Sequence, residues 1–144
     1  MPPYRFHNFE GFFTTKSAFF FSVPPEKPRI FTVGDAQEVR LKLGPYNIGD
    51  TVQLRCVSLG GRPQPKVTWW RDHALLDSTD SNQASFKTEN ELILKDLKRS
   101  DLHSILTCQA SNNNISVPVS TSVKLDMNCK SDIISQCTVC CWSF

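Results

Sequence analysis

The central part of the chain contains short runs in which hydrophobic and polar residues alternate, separated by turns that contain glycine or proline. Val52, Leu54 and Cys56 alternate with polar neighbours, and Val67 and Trp69 repeat the pattern in the next run. Because successive side chains of a strand point to opposite faces, this period of two predicts half-buried strands rather than helices. Turn signals at intervals of about 8 to 12 residues are typical of an all-β sandwich with about seven strands.

The predicted strands follow from where these runs begin and end. They comprise residues 29–33, 38–43, 51–58, 66–71, 105–111 and 116–126, while Phe86, Leu92, Leu94 and Leu97 mark two further inward-facing strands or strand ends. We expect Gly44-Pro45 to end the second strand, since this dipeptide is a turn signal. Residues 24–28 contain three prolines and predict an extended linker that precedes the domain.

Two cysteines and one tryptophan narrow the fold further. Cys56 and Cys108 lie in two different predicted strands, 52 residues apart, and Trp69 lies in the strand that follows Cys56. The facing sheets of a sandwich lie about 10 Å apart, so a disulfide can span the gap while an indole ring fills the space beside it. We predict a Cys56–Cys108 disulfide packed against Trp69, in an immunoglobulin-like β-sandwich of C2 or I type. Such a bridge indicates an extracellular or secreted domain.

One position departs from the common immunoglobulin pattern. The residue two before the second cysteine is usually a tyrosine that fixes a corner of the fold, whereas here it is Leu106. Asp101 lies near the corner but is displaced along the sequence. We therefore expect packing and backbone contacts to hold this corner.

Composition changes at both ends of the chain. Seven of the ten phenylalanines lie within the first 21 residues, and the last 16 residues contain Cys129, Cys137, Cys140 and Cys141. We divide the chain into an irregular N-terminal extension (1–23), the immunoglobulin-like domain (24–127) and an irregular cysteine-rich tail (128–144). Neither a signal peptide nor a membrane span is recognisable. We interpret both extensions either as disordered segments or as translated intron or another product of an incomplete gene prediction, from which the signal and the anchor are missing.

Charge and motif content argue against several classes of function. The net charge of +2 is nearly balanced, and the basic residues are scattered, so nothing indicates binding to nucleic acid or to a membrane surface. The sequence contains no catalytic triad order, glycine-rich phosphate loop or paired metal-ligand spacing. We expect a protein that is not an enzyme and that requires no cofactor or small-molecule substrate.

Longer segments resemble one family of cell-surface proteins. They are residues 23–31, residues 44–50, residues 60–71 and the stretch from Ser100 to Ser120 with its Thr107-Cys108-Gln109-Ala110-Ser111 core. Together they resemble the second immunoglobulin domain of the Sidestep family of arthropod neuronal proteins. The resemblance covers about residues 23–128.

This resemblance implies a role in adhesion and axon guidance. Sidestep proteins are type I membrane proteins with tandem immunoglobulin domains, and they bind immunoglobulin receptors of the Beaten path family. The resemblance also implies that the partner surface lies mainly on a first domain that this chain lacks. We therefore expect a recognition or spacer domain on the extracellular face of the plasma membrane.

Two candidate sites follow from the strand pattern. Trp70 points away from Trp69 and should lie on the outer face of its sheet, so Trp70, Arg55 and Lys66 form a candidate protein interface. The alternative is that Trp70 only covers this sheet beside the long Arg55 and Lys66 side chains. Asn114-Ile115-Ser116 is an N-glycosylation sequon in a predicted turn, and an unmodified asparagine-rich turn is the alternative.

Two other functions remain open from the sequence. A secreted immunoglobulin protein of innate defence would use the same scaffold for microbial ligands. The four tail cysteines could also bind zinc, although their spacing lacks the usual two paired knuckles and no histidine lies nearby. We therefore expect no metal site.

Overall fold

A computed structural model describes residues 21–79, 81–84 and 86–128. The first six strands are β1 (Val23–Pro25), β2 (Arg29–Thr32), β3 (Glu38–Val39), β4 (Lys42–Tyr46), β5 (Val52–Arg62) and β6 (Lys66–Arg71). They are followed by β7 (Ala74–Asp77), β8 (Ser81–Ala84), β9 (Lys87–Leu94), one 3-10 turn (Arg99–Asp101), β10 (Ile105–Ser111) and β11 (Val119–Met127). The N-terminal extension up to residue 20 and the four tail cysteines lie outside the described residues.

The strands form two sheets that pack face to face. In the first sheet the order is β3-β2-β5-β9-β8, and β1 pairs with the far end of β5. In the second sheet the order is β4-β11-β10-β6-β7, where β4 and β11 run parallel and the other pairs are antiparallel. This arrangement confirms the predicted all-β, immunoglobulin-like sandwich.

The period of two in the sequence corresponds to the buried faces of the strands. In β5 the side chains of Val52, Leu54 and Cys56 are buried, whereas Gln53 is exposed and Arg55 is half-buried. The same alternation places apolar side chains of both sheets between them. The core consists of Ile30, Leu43, Val52, Leu54, Cys56, Val67, Trp69, Leu92, Leu97, Leu106, Cys108, Ala110, Val123, Leu125 and Met127.

The two sheets are joined covalently and by hydrogen bonds at the centre of the core. Cys56 and Cys108 form the predicted disulfide, with their Cα atoms 6.3 Å apart. The buried Trp69 donates its indole N–H to the carbonyl of Asn90 at 3.1 Å, and the Asn90 amide donates to the Val67 carbonyl at 3.0 Å. Because Asn90 belongs to the first sheet and the other two to the second, both bonds cross the core and fix how the sheets face each other.

Several local predictions were wrong, and backbone pairing explains most of them. The expected proline linker begins as β1, because Val23 and Pro25 align with Arg62 and Gly60 in an antiparallel ladder. Gly44-Pro45 does not end a strand but lies inside β4, whose pairing with β11 continues beyond it.

Phe86, which we expected to face the core, and Val117, which we expected to lie in a strand over residues 116–126, are exposed outside the strands instead. Phe86 lies in a turn with 63% of its surface accessible, and Val117 precedes β11 with 89% accessible. The expected seven strands become eleven within the described residues, mainly because edge segments form short strands.

The corner before β10 is held by a side chain, which corrects another prediction. Arg71 donates to one carboxylate oxygen of Asp101 at 2.7 Å, and the backbone N–H of Lys98 donates to the other at 2.8 Å. The Ser104 hydroxyl donates to the Asp101 backbone carbonyl at 2.7 Å. Asp101 therefore links β6 to the corner where a tyrosine would normally do so, while Leu106 is buried in the core.

Candidate recognition surface

Trp70 lies on the outer face of the second sheet, as the strand period predicts. Lys66, Thr68 and Trp70 share this face of β6, because the intervening Val67 and Trp69 are fully buried. The Trp70 indole N–H donates to the Thr68 hydroxyl at 3.0 Å. This bond keeps the ring on the sheet, half-buried, with its polar atom paired and part of its surface accessible.

Two exposed aliphatic side chains lie next to Trp70. Leu75 of β7 is directly opposite it across the β6–β7 pair and is 52% exposed. On the other side Thr107 of β10 is opposite Trp70, and Ile105, two positions before it on the same face, is 46% exposed. Side chains at diagonal positions of neighbouring strands are within reach of an aromatic ring. We call the group Trp70, Leu75 and Ile105 the Trp70 surface.

Small polar side chains border the Trp70 surface on the β10–β11 side. The hydroxyls of Thr107 and Ser122 are 2.8 Å apart and hydrogen-bonded, and Thr68 donates to the Gln109 carbonyl at 3.5 Å. At the β6–β7 turn, a carboxylate oxygen of Asp72 accepts the Ile105 backbone N–H at 3.2 Å. An apolar centre with a polar rim is the usual composition of a protein-binding patch.

The other two members of the predicted interface do not lie beside Trp70. Arg55 belongs to β5 in the first sheet, where it faces outward and pairs with Glu91 at 3.1 Å, so its predicted place beside Trp70 is wrong. The reason is that a sandwich has two outer faces, and a period of two does not reveal to which sheet a strand belongs. Lys66 is on the correct face, but it lies opposite Ser111, four residues along β6 from Trp70. We therefore exclude Arg55 from the surface and place Lys66 at its far margin.

Leu75 and Ile105 are members of the Trp70 surface that we did not predict from the sequence. A recognisable signal exists for each of them: Asp72-His73 is a turn, so residue 75 returns beside residue 70, and Ile105 alternates with the buried Leu106. The position of β10 beside β6 cannot be read from either signal, since neighbours in this sheet are distant in sequence.

The ionisable groups with shifted pKa values lie away from the Trp70 surface. A hydrogen bond from Lys42, whose ammonium is 2.7 Å from the carboxylate, lowers the pKa of Asp126. A hydrogen bond from the Thr32 hydroxyl lowers the pKa of Asp35. Burial raises the pKa of the Tyr46 phenol, and the nearby Asp35 and Asp50 add to this effect. These shifts reflect hydrogen bonds, burial and nearby charges that are local to each group.

The described residues contain no group of three histidine, cysteine or acidic side chains that could hold a metal ion. Within the same part of the chain, no helix is long and apolar enough to cross a membrane. The disulfide in the core is typical of extracellular domains, and the immunoglobulin fold is typically non-catalytic.

Comparisons with known proteins agree with this description. The profile of the CD80-like C2-set immunoglobulin domain family matches residues 36–119, more than half of the chain. The chain is similar to the crystal structure of Rst D1-D2, at 23% sequence identity and a TM-score of 0.56, covering 74% of this chain and 51% of that one. It is also similar to the ectodomain (Ig1-Ig3) of mouse nectin-like molecule 4, at 21% identity and a TM-score of 0.56, covering 74% and 35%.

The chain thus spans about half of the first structure and about one third of the second. At these levels of identity the likeness to solved structures shows the fold alone. No curated protein sequence matches the chain significantly.

Proposed function

Because the chain belongs to the CD80-like C2-set immunoglobulin domain family, we propose that it is an extracellular recognition and spacer domain of a cell-surface adhesion protein. The single observation that carries the proposal is the Trp70 surface. It presents an aromatic ring between two exposed aliphatic side chains on an otherwise polar sheet face. Tryptophan is enriched among the few residues that dominate the affinity of protein interfaces.

The way in which the chain enters and leaves the sandwich supports the spacer role. On entry, the Asn112 amide donates to the carbonyls of Val23 and Pro63, at 2.5 and 3.0 Å. On exit, the Asn128 backbone N–H donates to the Tyr46 carbonyl at 2.7 Å. The two points lie at opposite ends of β11, whose nine residues span roughly 25–30 Å. Such anchored ends fix the points at which the chain enters and leaves the domain, as a spacer requires.

The resemblance of residues 23–128 to the second Sidestep domain gives the proposal its specific form. On that basis the parent protein guides axons and binds an immunoglobulin receptor of the Beaten path type, mainly through its first domain, and the Trp70 surface of the present domain adds a second contact to that partner. A partner of this class presents a β-sandwich face of its own. A flat apolar centre with a hydrogen-bonding rim suits such a face better than it suits a small ligand.

A binding measurement with two matched variants tests the recognition role. The whole chain is titrated against a Beaten path ectodomain by surface plasmon resonance, alongside Trp70→Ala and Ile93→Ala. Ile93 is a fair control, because it is 50% exposed and lies on the outer face of the first sheet. We expect Trp70→Ala to weaken binding by about tenfold or more, as for a hot-spot residue, and Ile93→Ala to have little effect.

Two results would contradict the recognition role. One is equal binding by Trp70→Ala and the unsubstituted chain. The other is no binding by a chain whose circular dichroism spectrum shows that it is folded. In the second case the spacer role alone would stand.

A further inference from the structure

The turn between β10 and β11 contains three consecutive asparagines, of which the first two are hydrogen-bonded and the third is exposed to solvent. Asn112 is committed to the Val23 and Pro63 carbonyls, and the Asn113 amide donates to the Ser22 hydroxyl at 3.2 Å. Asn114 is exposed and makes no hydrogen bond to any residue that the structure describes.

A single carbonyl oxygen shapes this turn. The side-chain oxygen of Asn113 accepts hydrogen bonds from the backbone N–H groups of Ile115 and Ser116, at 3.0 and 2.7 Å, and from the Ser116 hydroxyl at 2.8 Å. Asn114 therefore lies at the outside of a compact turn whose bonds are satisfied by its neighbours. Its amide projects into solvent on a segment that is not part of either sheet.

We propose that Asn114 carries an N-linked oligosaccharide, which goes beyond the recognition function proposed above. In the transfer, the Asn114 side-chain nitrogen attacks the anomeric carbon of a lipid-linked oligosaccharide diphosphate. A C–N bond forms and the bond from the anomeric carbon to the diphosphate oxygen breaks, so the lipid diphosphate leaves with that electron pair, and the proton that the nitrogen loses passes to a base of the transferring enzyme. Asn114-Ile115-Ser116 is the only stretch of the sequence with the required Asn-x-Ser/Thr pattern.

The disulfide in the core places this chemistry in a suitable compartment. The Cys56–Cys108 bond forms in an oxidising lumen, which in eukaryotic cells is also where asparagine glycosylation takes place. A chain that forms this disulfide therefore passes through the compartment that contains the transferring enzyme.

The attachment site lies beside exposed apolar side chains and away from the Trp70 surface. Ile115 and Val117, next to the attachment site, are 97% and 89% exposed, and an attached sugar shields them from non-specific contacts. Trp70 is opposite Thr107, and Thr107 lies four residues before Ser111, the last residue of β10. These four residues span roughly 13 Å along the strand. The attachment site thus lies at one end of the sandwich, away from the Trp70 surface.

The test uses the full chain behind a heterologous secretion signal in cultured mammalian cells. Total membrane and secreted fractions are treated with peptide N-glycosidase, and mobility shifts are compared for four forms. These are the unsubstituted chain, Asn114→Gln, Ser116→Ala and the matched variant Ser116→Thr, which keeps the sequon intact. Transfer takes place in the lumen, so material that is retained in the cell still reports on it.

We expect one enzyme-sensitive shift in the unsubstituted chain and in Ser116→Thr. It should be completely lost in Asn114→Gln and Ser116→Ala, and mass spectrometry should find Asn114 converted to aspartate by the enzyme. A shift that persists in Asn114→Gln, or no shift in the chain and in Ser116→Thr, overturns the assignment. Hydroxyl-radical labelling tests the shielding, which predicts less oxidation of Ile115 and Val117 with the glycan present. Equal labelling with and without the glycan contradicts it.

Discussion

Removing the Asp101 carboxylate should destabilise the domain more than removing any exposed carboxylate. Asp101 accepts a hydrogen bond from the Arg71 guanidinium and one from the Lys98 backbone, and its side chain is only 16% exposed. Hydrogen bonds to charged groups contribute about 1.5–3 kcal/mol each. The Arg71 side chain is 35% exposed, so water screens the ion pair and lowers this sum. We therefore expect Asp101→Ala to cost about 2–3 kcal/mol.

Urea unfolding followed by circular dichroism measures this cost. The matched control is Asp126→Ala, because Asp126 also pairs with a cation at 2.7 Å, but its Lys42 partner is 66% exposed. The Asp126 side chain itself is 22% exposed, but water reaches the Lys42 ammonium and screens the pair, so the control should lose about 1 kcal/mol or less. Asp101→Asn keeps one acceptor for the Lys98 N–H and should fall between the two.

A double-mutant cycle with Arg71→Met isolates the contribution of the pair. We expect a coupling free energy of about 1 kcal/mol or more between Arg71 and Asp101. If Asp101→Ala costs no more than Asp126→Ala, the corner is held by packing and backbone contacts after all, and the role assigned to Asp101 is wrong.

Three further predictions concern the scaffold. Replacing both Cys56 and Cys108 with alanine should lower the free energy of unfolding by about 4 kcal/mol, because the disulfide closes a loop of 52 residues. Urea titrations measure this loss, and a loss below about 1 kcal/mol would contradict the prediction. The pKa of Asp126 is lowered in the folded protein, so its pairing with Lys42 stabilises the protein at pH values above an ordinary aspartate pKa of about 4. The difference in free energy of unfolding between the unsubstituted chain and Lys42→Ala should therefore shrink as pH falls from about 5 to 2. A difference that stays constant over this range would refute the prediction. Gly44→Ala should lower the melting temperature more than Gly49→Ala does. Both glycines have a positive φ, but only at Gly44 would the new Cβ lie 2.5 Å from the Asp126 carbonyl oxygen. Equal changes in melting temperature would argue against this contact.

The sequence predicted the centre of the fold better than its edges. The buried sides of β5 and β6 follow directly from their alternating residues, and Trp69 and the two cysteines identify the core because few other folds combine them. Edge segments such as β1 are not predicted, because their pairing depends on where distant strands lie. Proline also suggested a linker at β1, although an edge strand tolerates residues that lack an N–H donor.

The candidate surface was predicted only in part for the same reason. The face of the strand on which Trp70 lies follows from its neighbour Trp69. The side chains that surround Trp70 on that face depend on the order of strands in the sheet. Arg55 is close to β6 in sequence and lies on the opposite outer face, whereas Ile105 is distant in sequence and lies nearby. The role of Asp101 in holding the corner was not predicted, because its partner Arg71 is 30 residues away in the sequence.

A nuclear magnetic resonance titration of the isotope-labelled chain with an unlabelled Beaten path ectodomain tests the recognition role most directly. It requires no substitution, so no loss of folding can be mistaken for a loss of binding. We expect the largest chemical-shift changes and line broadening at Trp70, Leu75 and Ile105, with Arg55 and Ile93 unaffected. Changes confined to the outer face of the first sheet, or to the turn around Ile115, with Trp70 unchanged, would contradict it.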